Sequence, residues 1–256
     1  FDEATNLWTL NTGDGGSLTT RIVISATGLL SAPFFPDIPG RDTFRGESYH
    51  TGLWPKEPVD FAGKRVAMIG TGASAVQLLP GIADQVGSIT VYQRTPNWCA
   101  PLNNGLITPE EQAEIKASYE DLERLCRTSF AGFAHADGTR GTFEDSKEQR
   151  WAFYEELYHK RGFAKLFSNY NDILVDPRAN AEFCEFLAHK IRERVTDPAT
   201  AEKLIPKDHG YGMKRPPMET GYYETYNRPN VTLVDLHETP IERITETGIV
   251  TSAGEE

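Results

Sequence analysis

Three groups of residues in this sequence combine types and spacing that can do chemistry. The first is a glycine-punctuated turn, Gly70-Thr71-Gly72-Ala73-Ser74-Ala75, between the apolar run Val66-Ala67-Met68-Ile69 and a helical pattern through Leu78 and Leu79. This G-x-G-x-x-G/A spacing, with a strand before it and a helix after it, suits a dinucleotide pyrophosphate. Gly70 permits the tight turn, Gly72 lets the backbone close on the phosphates, and Ala75 is small enough for helix and strand to pack. The phosphates then meet free N–H groups at the positive end of the helix. Thr71, Ala73, Ser74 and Gln77 complete the expected cofactor-binding set. A second apolar run, Ile89-Thr90-Val91-Tyr92, ends at Gln93-Arg94-Thr95. An acidic residue there would hold a ribose 2′-OH. Arg94 instead offers a 2′-phosphate a fixed charge and a forked donor set. The segment is expected to bind NADP(H).

The second group is Gly212-Met213-Lys214-Arg215-Pro216-Pro217. Taken alone, adjacent Lys and Arg read as a solvated pair. Pro216, however, biases Arg215 towards an extended backbone, in which neighbouring side chains point to opposite sides and can serve two ligands. The third group lies in the connector Phe44-Arg45-Gly46-Glu47-Ser48-Tyr49-His50-Thr51-Gly52-Leu53-Trp54-Pro55. By composition this is an aromatic loop, and His50 by itself reads more readily as a satisfied structural histidine than as a catalyst.

These groups need elements to position them, and the pattern is that of an α/β protein. Residues 63–107 form a βαβ unit, resumed at 207–240, which together make a Rossmann-type NADP-binding domain. Residues 108–206 read as a helical insertion. Thr108, Pro109 and Glu111 form a capping box with proline at the first helical position. Ile115, Tyr119, Leu122 and Leu125 follow as one helix face. Residues 129–146 read as a loop. Trp151, Tyr154, Leu157 and Tyr158 mark a second helix, Phe183, Phe186, Leu187, Ile191 and Val195 a third, and Pro198 to Leu204 a short fourth. Asn230-Val231-Thr232-Leu233-Val234-Asp235 reads as a strand. Ile241-Glu242-Arg243-Ile244 and Gly248-Ile249-Val250-Thr251 alternate like a hairpin, within a return segment at 241–256. At the start, residues 1–40 offer two strand candidates, Leu7-Trp8-Thr9-Leu10 and Arg21-Ile22-Val23-Ile24-Ser25, with a turn at Asp14-Gly15-Gly16. Two short strands cannot bury a core alone. Pro33, Pro36 and Pro39 stiffen the exit into a loop-rich linker at 41–62.

The 256 residues allow one large or two ordinary domains. A net charge of −11 argues against nucleic acid or an anionic membrane as partner, since either favours a basic face. Cys99, Cys126 and Cys184 are odd in number and widely spaced. That pattern fits a reduced, cytoplasmic chain with no disulfide frame and no metal site. No signal peptide or membrane span is apparent.

The connector matches F-x-G-x-x-x-H-x-x-x-W-P at every fixed position, through Phe44, Gly46, His50, Trp54 and Pro55. In this it resembles the fingerprint of the Baeyer–Villiger monooxygenases, and it lies where that family places it. The stretch Gly212-Met213-Lys214-Arg215-Pro216 followed by Tyr222-Tyr223-Glu224-Thr225-Tyr226-Asn227-Arg228-Pro229-Asn230-Val231 is similar to the same family, as is the strand ending Ala26-Thr27-Gly28. The resemblance covers essentially the whole chain and is weakest at 129–170. It implies a two-dinucleotide-binding-domain flavoprotein in which residues 1–40 are strands of a partial FAD-binding domain. It implies FAD and NADPH as cofactors, with dioxygen and a ketone as substrates, and an ester or lactone formed through a C4a-peroxyflavin. Lys214 would join Arg94 and Thr95 at the NADPH 2′-phosphate, Arg215 would be the active-site arginine beside the flavin, and His50 and Trp54 would couple domain motion to catalysis. The family's FAD-binding glycine motif is expected upstream of residue 1, so the chain is expected to be an internal fragment, a monomer or weak oligomer, and inactive in isolation. Two alternatives stand beside this: a flavin monooxygenase acting on nitrogen or sulfur, which normally lacks the Trp-Pro ending, and a non-catalytic NADP-binding fragment.

Overall fold

The computed structural model describes residues 1–28 and 30–255. The chain forms two compact units, one of Phe1–Asp37 with Ser48–Glu57, the other of Ile38–Glu47 with the residues from Pro58 onward.

In the smaller unit, β1 (Trp8–Asn11) and β2 (Ser17–Thr20) form an antiparallel hairpin with Trp8 opposite Thr20 and Asn11 opposite Ser17. The turn uses Gly15 at φ 86° and an Asp14 carboxylate that accepts from the Gly16 N–H at 3.2 Å. The expected strand Arg21-Ile22-Val23-Ile24-Ser25 does not form. Among the described residues that segment pairs with no other strand, and Ile22 and Ile24 are 74% and 85% exposed. Its β-branched residues favour a strand, but an unpaired backbone gains no ladder hydrogen bonds.

The larger unit runs β3 (Arg65–Ile69), α1 (Ala73–Ile82), β4 (Ser88–Gln93) and β5 (Ala100–Pro101). The helices follow: α2 (Pro109–Ala117), α3 (Tyr119–Thr128), α4 (Lys147–His159), α5 (Ala164–Phe167), α6 (Pro177–Arg194) and α7 (Pro198–Leu204). The chain then makes β6 (Met218–Glu219), α8 (Tyr222–Thr225), β7 (Val231–Asp235), β8 (Ile241–Ile244), β9 (Ile249–Thr251) and β10 (Gly254–Glu255). A parallel sheet has the order β3-β4-β7, with Val66 beside Ile89 and Ile89 beside Val231. Its middle strand is the most buried, as a parallel strand covered on both faces must be. β8, β9 and β10 form an antiparallel sheet.

One core joins the sheet to the helices. Val76, Leu79 and Ile82 of α1, Ile89 and Val91 of β4, Tyr154 of α4, and Phe183, Phe186, Leu187 and Ile191 of α6 are buried together. Each large apolar side chain contributes roughly 1.5–3 kcal/mol by leaving water. Arg194, at the end of α6, is bonded to Glu219 of β6 at 2.7 Å, to Tyr158 of α4 at 2.8 Å and to Glu224 of α8.

The expected continuous helix face Ile115, Tyr119, Leu122, Leu125 is broken. The capping box at Thr108 and Glu111 forms, but α2 stops at Ser118, whose Oγ donates to the Ile115 carbonyl at 3.1 Å. That local bond competes with helix continuation. Neither α2 nor α3 contains a buried residue, so no packing enforces one straight helix.

Candidate functional site

The glycine turn sits between β3 and α1. Gly70 has φ 99°, a left-handed conformation that favours glycine, and its N–H bonds the Tyr92 carbonyl of β4 at 2.8 Å. Gly72 is the N-cap of α1, at φ −75° and ψ 179°, and no side chain caps the helix. Nothing lies within 4 Å of where a Cβ would stand on either glycine. Ala73, Ser74, Ala75 and Gln77 follow in the first turns of α1. The result is an open backbone cradle at a helix start, which suits an anion. Thr71, nearly buried, donates its hydroxyl to the Thr95 carbonyl at 2.9 Å and so ties the turn to the end of β4.

Gln93, at the end of β4, is buried and donates to the Lys203 carbonyl of α7 at 2.7 Å. Arg94 follows it into solvent and makes no ion pair among the described residues. Thr95 is half-buried.

The chain leaving β4 runs beside the segment that carries Lys214 and Arg215. Ala100 of β5 pairs in parallel with Met218 of β6, and Trp98 Nε1 donates to the His209 carbonyl at 2.8 Å. Because the pair is parallel, both segments enter it from the same end. Lys214 lies at a bend rather than in an extended run, and its Nζ meets Asp208 Oδ2 at 3.3 Å. Arg215 is exposed and makes no ion pair among the described residues. The two cations thus have different surroundings, one paired and one open.

Sequence reading missed the residues that hold this loop. Asn180 of α6, 4% exposed, donates to the carbonyls of Ile173 and Tyr211, each at 2.8 Å. Cys184, one turn on, accepts from the Tyr211 N–H at 3.3 Å. Gly212 has φ 82° and packs so closely on Leu174 that an added Cβ would lie 2.5 Å from it. Asp208 bridges Lys214 and His209. A buried Asn one helical turn from a Cys is the only local signal, and nothing in the spacing reveals their distant partners.

In the smaller unit, both nitrogens of His50 are engaged. Nδ1 accepts from the Gly52 N–H at 3.0 Å, and Nε2 lies 3.2 Å from the Phe34 carbonyl, an acceptor only, so the proton sits on Nε2. The ring packs against Phe35 at 4.7 Å. Trp54, 40% exposed, lies over Tyr49 at 5.6 Å. An added Cβ on Gly52 would come within 3.2 Å of His50 Nδ1, so this small residue makes room for the cap.

No family model matches the chain. The curated relatives include 2-oxo-Δ3-4,5,5-trimethylcyclopentenylacetyl-CoA monooxygenase of Pseudomonas putida, 45% identical over 98% of this chain and 47% of its own length. Cyclopentanone 1,2-monooxygenase of Comamonas sp. is 43% identical over 100% of this chain and 47% of its own. A phenazine N-monooxygenase of Lysobacter antibioticus is 38% identical over the same shares. Among solved structures, OTEMO in complex with FAD and NADP superposes with a TM-score of 0.95 and 43% identity, covering 100% of this chain and 49% of that one. The chain therefore has the Rossmann-type α/β fold of the two-dinucleotide-binding flavoprotein monooxygenases. Within that class it is homologous, along nearly its whole length, to the Baeyer–Villiger monooxygenases. It spans about half the length of the curated relatives it matches.

Proposed function

We propose that the chain is the NADPH-binding part of an FAD-dependent Baeyer–Villiger monooxygenase that converts ketones to esters or lactones with dioxygen. The observation that carries this is the open glycine turn at an uncapped helix start, with Arg94, which makes no ion pair among the described residues, at the end of the adjacent strand. Dinucleotide phosphates fit that arrangement. Gly70, Thr71, Gly72, Ala73, Ser74, Ala75 and Gln77 take the pyrophosphate side, and Arg94, Thr95 and Lys214 the 2′-phosphate. Residues 63–107 and 207–240 act as the NADP-binding domain, 108–206 as its helical insertion, 1–40 as strands of a partial FAD-binding domain, 41–62 as the interdomain linker, and 241–256 as a return segment towards the FAD-binding domain.

FAD, when bound, accepts the hydride and supplies the oxygen chemistry. The chain's own residues supply orientation and charge. Arg215 is a permanent cation suited to the negative charge that develops on a ketone oxygen. Arg94 and Lys214 would hold NADP⁺, and a cofactor retained there would help exclude water. His50 and Trp54 shape the connector. Relatives that act on ketones support the substrate class. Three free thiols accord with a reducing, cytoplasmic setting, and among the described residues no helix is long and apolar enough to cross a membrane.

Oxygenation of nitrogen or sulfur is the second reading, favoured by the phenazine N-monooxygenase relative. Trp54-Pro55 favours the ketone. Binding titrations should show NADP⁺ preferred over NAD⁺ by at least ten-fold, the worth of a charge-assisted contact of roughly 1.5–3 kcal/mol. In a full-length version of the protein, with FAD, NADPH and cyclopentanone, the product should be the lactone. Arg215→Ala in that full-length protein should still oxidise NADPH while making no lactone. Equal affinity for the two nucleotides, or oxidation of a thioether with none of the ketone, would reject the proposal.

A further inference from the structure

We infer that Asp208 sets how tightly the protein holds a 2′-phosphate, by competing with that phosphate for Lys214. The inference rests on Lys214 being a phosphate ligand, as proposed above. Asp208 spends its two carboxylate oxygens on different partners. Oδ1 accepts from His209 Nδ1 at 2.6 Å and Oδ2 from Lys214 Nζ at 3.3 Å.

The first of these partners is fixed. The His209 side chain is 8% exposed, and its backbone carbonyl is held by Trp98, itself in the core. Among the described residues His209 Nε2 has no hydrogen-bond partner, so Asp208 is the ring's one polar anchor. The His209 bond, ahead of the Lys214 contact, holds the Asp208 carboxyl below the usual carboxylate range, so it is anionic at neutral pH. Lys214 differs. Its side chain is 47% exposed on a flexible stem, so it is the member that can leave.

A 2′-phosphate reaching Lys214 therefore meets an ammonium already neutralised. It must either draw Lys214 away from Asp208 or settle beside a carboxylate of like charge, and both weaken binding. NAD⁺ lacks the phosphate and is indifferent. Asp208 thus acts as a specificity-determining residue that limits NADP⁺ affinity without touching the cofactor.

Calorimetric titration of the protein with NADP⁺ and NAD⁺ tests this. Asp208→Asn keeps an oxygen for His209 and removes the charge. Its Kd for NADP⁺ should fall about three-fold, the order expected of one half-exposed ion pair. NAD⁺ should bind as before, and the gain should shrink with added salt. Asp208→Glu should behave as wild type. Asp208→Ser, the second neutral variant, should share the gain if the amide disturbs the loop. In a Lys214→Ala background Asp208→Asn should change nothing. Unchanged or weaker NADP⁺ binding in both neutral variants, or a gain that survives in Lys214→Ala, would overturn the role of Asp208. A Lys214→Ala variant that binds NADP⁺ like wild type is a separate failure, of the phosphate-ligand reading itself.

Discussion

Gly70 and Gly72 carry the same residue type for different reasons, and substitution separates them. Gly70 needs glycine for its backbone, since φ is 99°. Around it there is room, so Gly70→Ala should lose stability through the left-handed conformation alone, by roughly 1–2 kcal/mol. Gly72, at φ −75° and ψ 179°, has a conformation any residue can adopt. A side chain there would instead occupy the cradle beside the first turn of α1. Gly72→Val should therefore unfold in urea at nearly the wild-type midpoint and lose most of its NADP⁺ affinity. A Gly72→Val protein that bound NADP⁺ normally would remove the phosphates from this turn. The two measurements distinguish glycine needed for the fold from glycine needed for the ligand.

At the scale of elements, α6 anchors the loop that leads to Lys214 and Arg215. Asn180→Ala would leave the buried carbonyls of Ile173 and Tyr211 without their shared donor. An unsatisfied buried group costs about 1–3 kcal/mol. The expected outcome is a lower urea midpoint together with weaker NADP⁺ binding. Normal binding at lowered stability would show that the loop holds its course without α6. None of this was legible beforehand, whereas α6 itself was. Phe183, Phe186, Leu187 and Ile191 repeat with the helix period and are buried as that period requires. The βαβ unit was legible for the same reason, through runs of apolar residues punctuated by glycine. Periodicity reports which face is buried. It does not report which distant carbonyl a polar side chain will meet, so Asn180, Asp208 and His209 stayed hidden. It also failed where burial is absent, at Ile22 and Ile24 and along α2 and α3, because propensity without packing decides little.

Across the larger unit, the parallel sheet shares one core with α1, α4, α6 and α7, and the helical segment also buries a charge. Lys165 of α5 is fully buried. Its ammonium donates to the carbonyls of Lys160 and, at 3.4 Å, Gly162, at the C-terminal end of α4 where a cation is favoured. Burial pushes its pKa down to about 8 from an ordinary 10.5, with the charge of Glu219 acting the other way. The folded state thus binds this proton less tightly than the unfolded chain, which makes the charged lysine a liability at neutral pH. As pH rises through about 8 the folded protein sheds the proton while the unfolded chain keeps it until 10.5, so stability from this site increases across that window. The gain has an upper bound of about 3 kcal/mol. Burial also pushes the Cys99 thiol and the Tyr154 and Tyr211 hydroxyls up, which makes stability pH-dependent from other sites, so the measurement is a difference between wild type and Lys165→Met in urea at several values from pH 7 to 10. Wild type should gain on the variant as pH rises. A constant difference across the range would mean that the buried amine keeps its proton, with the Lys160 and Gly162 carbonyls and Glu219 offsetting its loss of water.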